Sequence, residues 1–311
     1  GFARGMPDHL HTPLTRADAM EAGMSAWQWR NLTTSGQLVR LVRGVYAQAI
    51  PSEDRHAYLQ RVAAGLIKRS DHYAVGASAL AVHDLPNPYF RQWTELPVLL
   101  AGKKSRPARG IRRATFAPID SSWGPVTDLI DTAVTIAGEL PLPQALMVTD
   151  AVARRIADTT DRFELASERC RTEVRRRLTH TLDLPALKLA NPAAESPAES
   201  FYRGHMLLRR LPEPSCGVPM RGQSGAQYFI DILLETLAIE VDGRIKYQGP
   251  SGVQALVDEK RREDDLRATG LDFHRPFVED VYADADREMD LLVAKCRASG
   301  LWVPGPLALP A

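Results

Sequence analysis

The chain has 311 residues, a formal net charge of +1, 44% hydrophobic and 25% charged residues. That length suits two or three domains, and the ordinary apolar fraction excludes a largely disordered or fibrous protein. No run of about 18 apolar residues exists, which excludes a membrane-spanning helix. Residues 1–11 have no apolar core followed by a small-residue cleavage site, so no secretory signal is expected. Cys170, Cys216 and Cys296 form no C-x-x-C pair, which argues against a disulfide framework or a zinc site and for a reduced, cytoplasmic protein. Balanced charge does not itself point to nucleic acid, so such a partner must be met by local basic clusters.

Residues 12–50 are sharply punctuated. Thr15, with Asp18 three residues on, predicts the cap of a short helix that Gly23 ends. Ser25 predicts the cap of a second helix over 26–35, with Gly36 at its C-terminal end. The β-branched stretch 38–47, broken by Gly44, predicts a two-stranded ribbon. Helix, tight turn, helix and basic ribbon is the order of a winged helix-turn-helix, whose second helix enters the DNA major groove. On that helix Trp27, Gln28, Arg30 and Asn31 suit base edges or phosphates, and Arg40 and Arg43 of the ribbon suit phosphates. Such modules also serve protein contacts, and Trp27 or Trp29 suits a core position.

Residues 51–190 read as a mixed α/β middle region. Helices are predicted at 55–69, 77–83, 128–139, 142–156 and 163–179, and strands at 96–100 and 111–116. The loop between the strands offers Lys103 and Lys104 to phosphates. The arginine-rich last helix suits either phosphates or a solvated face. Residues 191–197 read as a Pro/Ala linker and a domain boundary. Beyond it, 196–300 predicts an α-β-β-β-α-β run: a helix over 198–210, strands at 217–221, 228–233 and 237–241, a helix over 253–269 and a strand at 271–276. The apolar, proline-rich tail 301–311 reads as a surface strap.

The chemistry concentrates in the second and third of these strands. A two-residue turn at Glu235-Thr236 sets Asp231 opposite Glu240, with Cβ atoms about 4.5–5.5 Å apart. Asp242 falls on the same face, and Ile230, Ile232, Ile239 and Val241 on the opposite, apolar one. Three carboxylates on one face repel one another unless a cation sits among them. Oxygen-only ligands suit Mg²⁺ or Mn²⁺, and such an ion activates water and neutralises a phosphodiester. Lys246 is placed to stabilise transition-state charge. Against this, Glu-Thr is a poor two-residue turn and Asp242-Gly243 is itself a good turn. Glu199 reads as half of a capping box with Ser196, or as a supporting ligand if its helix packs beside the hairpin. Lys260 and Arg262 suit phosphates, or else a solvated helix face with Glu259, Glu263 and Asp264 as partners.

These residues resemble known families. Leu14-Thr15-Arg16 through Gly23-Met24-Ser25 to Arg43-Gly44-Val45-Tyr46 resembles the winged-helix domain of AbiEi-type antitoxins, which bind DNA and repress their own operon. Val126-Thr127-Asp128-Leu129-Ile130-Asp131, with 142–146, resembles the middle region of actinobacterial proteins carrying that N-terminus. Glu199-Ser200, Asp231, Glu240-Val241-Asp242-Gly243 and Arg262-Glu263-Asp264-Asp265-Leu266 are similar to the endonuclease-like domain related to very-short-patch repair nucleases, a branch of the PD-(D/E)XK fold.

The resemblance implies an α+β, mixed fold: an N-terminal winged helix-turn-helix (12–50), a mixed α/β middle (51–190), a restriction-endonuclease-like domain (196–300) and a tail (301–311). It implies that Asp231 and Glu240 are metal ligands. Asp242 stands where that pattern usually has lysine, and Lys246 where relatives of the repair-like branch often have histidine. The partners implied are double-stranded DNA and either a cognate toxin or a second copy of the chain, with no membrane. Two functions stay open. One is a Mg²⁺- or Mn²⁺-dependent DNA endonuclease of repair or defence, built on Asp231, Glu240, Asp242 and Lys246 with Glu199 in support. The other is a non-catalytic DNA-binding autoregulator, the antitoxin of a type IV system, with a degenerate nuclease fold. An RNA-directed nuclease fits poorly, because side chains cannot read the narrow A-form major groove.

Overall fold

The computed structural model describes residues 12–50, 54–102, 111–113, 115–180, 182–243, 250–301 and 303, with the backbone alone at 111–113 and 250–256. The protein is mixed α/β with several small sheets, and falls into two compact units, residues 1–135 and 136–311. Among the described residues no helix is long and apolar enough to cross a membrane.

Unit 1 opens with β1 (Leu14–Thr15), α1 (Arg16–Glu21), α2 (Ala26–Thr34), β2 (Leu38–Val42) and β3 (Val45–Gln48). Both helices start in capping boxes. Thr15 Oγ1 accepts from Asp18 N at 3.2 Å while Asp18 Oδ2 accepts from Thr15 N at 2.7 Å, and Ser25 and Gln28 repeat the exchange at 3.2 and 2.8 Å. The strands form an antiparallel sheet in the order β1-β3-β2, and Trp29 and Leu38 bury with Leu14 and Ala19 against the helices. The unit continues with α3 (Asp54–Ile67), β4 (His72–Ala74), α4 (Ala77–Val82), β5 (Leu100–Gly102), β6 (Ile111–Arg113), β7 (Pro118–Ile119) and β8 (Val126–Thr127). These strands make a mixed sheet ordered β6-β5-β4-β8-β7, covered by Tyr58, Val62 and Leu66 of α3. The strand expected at 96–100 begins only at Leu100. Pro97 lacks an N–H, and its carbonyl accepts from Tyr58 Oη at 2.8 Å while Leu99 N donates to Ser78 Oγ at 2.8 Å. Side chains thus satisfy the groups a sheet ladder would use.

The division between the units falls within α5 (Leu129–Glu139). Unit 2 then runs α6 (Leu142–Ile156), α7 (Arg162–Leu165), α8 (Glu168–Leu178), α9 (Pro185–Lys188), α10 (Pro197–Leu208), β9 (Ser215–Arg221), β10 (Gln227–Leu234), β11 (Leu237–Ile239), α11 (Pro250–Arg267), β12 (Asp272–His274), α12 (Val278–Ala283) and α13 (Ala285–Ala298). The single helix expected over 163–179 is two, because Ser167 Oγ accepts from Cys170 N and caps a fresh start. Residues 191–197 are not an exposed linker. Asn191, Ala193 and Ala194 are buried, and Asn191 N donates to the buried Asp150 Oδ1 at 2.8 Å. α10 lies so close to α6 that a Cβ at Gly204 would stand 2.5 Å from Pro143 Cα.

The expected α-β-β-β-α-β order is present from α10 to β12, on a sheet ordered β12-β11-β10-β9 in which only β11–β12 is parallel. One core gathers Tyr202, Met206, Ile232, Ile239, Val241, Met289 and Leu292, with Leu301 and Val303 of the tail packed on it. Each large apolar side chain buried there contributes about 1.5–3 kcal/mol. A second cluster joins Leu266 of α11 to Ala238, Phe273 and Ile230. Ile230 therefore does not share the Ile232 core, as strict alternation predicts. The β9–β10 pairing keeps one register through Ile230↔Val218 and Ile232↔Cys216, on either side of Gly217 with its φ of +58°.

Candidate functional site: a carboxylate–arginine cavity

The β10–β11 hairpin has the register read from the sequence. Ile232 pairs Ile239, Leu233 pairs Ala238 and Leu234 pairs Leu237, leaving Glu235-Thr236 as the turn. Glu235 makes this possible by adopting φ +53°, a left-handed conformation usually left to Gly or Asn. Past the end of β11 the chain stays in line beside β12 and its extension. Glu240 N donates to His274 O at 3.1 Å, Asp242 N to Pro276 O at 3.1 Å, and Val278 N to Asp242 O at 3.0 Å. This backbone ladder fixes Glu240 and Asp242 one pleat apart.

Asp231, Glu240 and Asp242 line one open cavity of about 370 Å³, together with Glu259 and Arg262 of α11, Gln227, Tyr228 and Phe229 of β10, and Arg162 of α7. Glu240 and Asp242 are only 4% and 7% exposed. Two guanidiniums bind these acids. Arg262 grips Glu240 with both ends, Nη1 to Oε2 at 2.7 Å and Nη2 to Oε1 at 2.6 Å, and also donates to Glu259 Oε1 at 2.9 Å and Phe229 O at 2.8 Å. Arg275 donates to Asp242 Oδ2 at 3.1 Å and Glu259 Oε1 at 2.6 Å, and its Nη2 lies 3.5 Å from Glu240 Oε2. Burial opposes the charge on Arg262, but Glu240 and Glu259 outweigh it and its pKa is raised. Burial likewise pushes the Glu259 carboxyl up, while Arg275 and Arg262 bring it below its ordinary range.

Acids on one sheet face need a cation among them, and the described structure supplies Arg262 and Arg275 in that role. The all-oxygen donor set has the chemistry Mg²⁺ or Mn²⁺ prefers. Yet among the described residues no group of three His, Cys, Asp or Glu side chains is arranged to hold a metal ion. Both oxygens of Glu240 are engaged by arginine.

The other expected site residues fall as follows. Glu199 does not line the cavity. It is 6% exposed, its N donates to Ser196 Oγ at 3.1 Å, and its Oε2 accepts from Glu195 N at 2.9 Å, so it caps α10 while burial pushes its pKa up. Arg262 is drawn into the acid cluster, whereas Lys260 is exposed on α11. Trp27, Gln28, Arg30, Asn31, Arg40 and Arg43 are all exposed on unit 1, Trp27 at 69%, while Trp29 is the core tryptophan. Lys103, Lys104 and Lys246 lie outside the described residues.

Sequence reasoning missed Arg275, Arg162 and Phe229. Arg275 had a usable signal, since it directly follows the last strand, which a parallel partner places beside Glu240. Arg162 had none, being remote in sequence and carried on a four-residue helix. No protein-family model matches the chain, and no curated protein matches it significantly.

Proposed function

We propose that the chain is a DNA-binding protein that hydrolyses DNA phosphodiesters at the Asp231–Glu240–Asp242 cavity with a divalent ion, Mg²⁺ or Mn²⁺, in DNA repair or defence. The observation that carries this reading is the convergence of three acids, one from β10 and two from the ladder that continues β11, into one open cavity also lined by Glu259 and Arg262 of α11. In this reading the α10–β12 run is a restriction-endonuclease-like core of the very-short-patch-repair-related group, and the β1–β3 segment is a winged helix of the AbiEi type. Asp231 and Glu240 would hold the ion, with Asp242 beside them. Such an ion supplies a Lewis acid for the phosphate and a lowered pKa for bound water. Arg262, tied to Phe229 O and Glu259, orients the Glu240 carboxylate. Trp27, Gln28, Arg30 and Asn31 of α2 meet the groove, and Arg40 and Arg43 meet phosphates. A reduced, cytoplasmic setting belongs to the same reading and agrees with three free thiols.

One observation favours a second reading. Glu240 and Asp242 already have arginine counter-charges, which suits a non-catalytic autoregulator or antitoxin that keeps the nuclease fold as a scaffold. Incubation with supercoiled plasmid and linear duplex in Mg²⁺, Mn²⁺ or EDTA separates the two. The nuclease reading expects metal-dependent nicking or cutting that Glu240→Gln lowers at least a hundredfold. Intact DNA under every condition, with duplex binding retained, selects the autoregulator.

A further inference from the structure

One wall of the acid cavity is aromatic and cationic, a feature that acid–metal chemistry does not use. The Arg162 guanidinium lies over the Phe229 ring, 4.0 Å from its centroid. Glu195 fixes its direction, with Oε1 2.8 Å from Arg162 Nε, yet the Arg162 side chain keeps 43% of its surface exposed. The next residue on α7, Phe163, is 52% exposed and meets Phe229 edge to face, with ring centroids 5.0 Å apart and planes at 67°. Arg162 and Phe229 line the same cavity as Asp231, Glu240 and Asp242.

Phe163 keeps half of its surface in water while its ring packs on Phe229, a residue that lines the cavity. A guanidinium backed on one face by a phenyl ring and oriented by a carboxylate presents its other face as a flat, cationic plate. Flat plates of this kind stack nucleobases, and bases are available for stacking only where they are unpaired. We propose that Arg162, backed by Phe229 and flanked by Phe163, is a base-stacking clamp, and that the cavity acts on DNA at an unpaired nucleotide: a single strand, a flap or a frayed end. The inference deepens the nuclease reading and rests on it for the choice of DNA. The clamp takes the base and leaves the adjoining phosphodiester to the acids. Sequence preference at the clamp is weak, because every base has a π-face.

The test is binding in EDTA, which keeps the clamp measurable whether or not the chain cleaves. Fluorescence anisotropy with the full chain compares a labelled oligothymidylate with an abasic strand of equal length, identical in phosphate charge. The wild type binds the thymidylate strand about tenfold more tightly than the abasic one, as one stacked base implies. Phe163→Ala, at an exposed position, and Arg162→Lys, which keeps the charge but not the plate, each reduce that ratio at least threefold while leaving abasic binding unchanged. Equal wild-type affinity for the two strands overturns the clamp. So does a ratio that neither variant alters, or a variant loss that is the same on both strands. If the clamp holds and neither the plasmid nor a single-stranded or flapped substrate is cut in Mg²⁺ or Mn²⁺, the nuclease reading fails separately. If cleavage is robust and prefers fully paired duplex, the clamp fails alone.

Discussion

Arg203 is fully buried, and its Nη2 donates to both oxygens of Asp150 at 2.9 Å and to Leu189 O at 2.9 Å. Asp150 Oδ1 in turn accepts from Asn191 N. Removing one member of such a pair leaves a charge in a place water does not reach, at a cost of about 3–5 kcal/mol. Asp150→Asn should therefore lower the urea midpoint sharply without changing how the folded chain binds DNA. His274 offers a pH-dependent counterpart. Burial, followed by the nearby Lys295 charge, pushes its pKa down to about 4, and its Nε2 sits 3.0 Å from Tyr202 Oη. The unfolded chain takes up this proton near pH 6.5 and the folded chain only near 4, so stability present above 6.5 is lost as pH falls between those values. Thermal melts across that window should show the decline, and His274→Asn should flatten it. Neither residue was legible in the sequence. An arginine in a helix or a histidine at a strand end carries no local mark of burial, which is set by partners such as Asp150 and Lys295 far along the chain.

Elements with strong local chemistry were readable. Thr15 with Asp18, Ser25, and Ser196 with Glu199 were read at helix starts because a cap needs only residues within one turn, whereas Gln28, read as a base contact, closes the Ser25 cap with its side-chain oxygen. The β10–β11 register followed from hydrophobic pairing and the turn length, even though Glu235 is poorly suited to its turn. Its φ of +53° carries a left-handed penalty that Asn largely escapes. Glu235→Asn should accordingly raise stability by about 1 kcal/mol, seen as a higher melting temperature with the same metal and DNA behaviour. A fall in stability would mean that the Glu235 side chain makes an interaction worth more than the strain. β4, β7 and β8 were not read, because a period of two cannot be recognised over so short a run without an apolar stretch continuing beyond it. The same limit applies to the site. Its acids follow from one hairpin, whereas Arg275 and Arg162 arrive from elements whose placement depends on the packed sheet.

For the whole molecule, the sequence suggested a boundary at 191–197, but residues 191–194 are buried, and the chain divides into its two compact units within α5. Proline and alanine mark a linker only when water reaches them, and here Asp150 holds Asn191 while Ala193 and Ala194 pack on Cys216 of β9. DNA binding is proposed for exposed side chains of unit 1, and its signature is electrostatic. Arg40→Gln and Arg43→Gln should each weaken duplex binding and make the log–log salt slope shallower by ~0.9 for each phosphate no longer neutralised. Slopes unchanged in both variants would remove the ribbon from the interface. In the acid cavity, arginine stands among carboxylates that a divalent ion would share, and whether the ion binds there decides the nuclease reading. The most direct measurement is Mn²⁺ titration of the full chain followed by electron paramagnetic resonance, which counts bound against free ion without requiring cleavage. One Mn²⁺ per chain is expected, abolished in both Asp231→Asn and Glu240→Gln while circular dichroism shows each variant folded. No bound Mn²⁺ in the wild type, or binding that both substitutions leave intact, would contradict a metal site in this cavity.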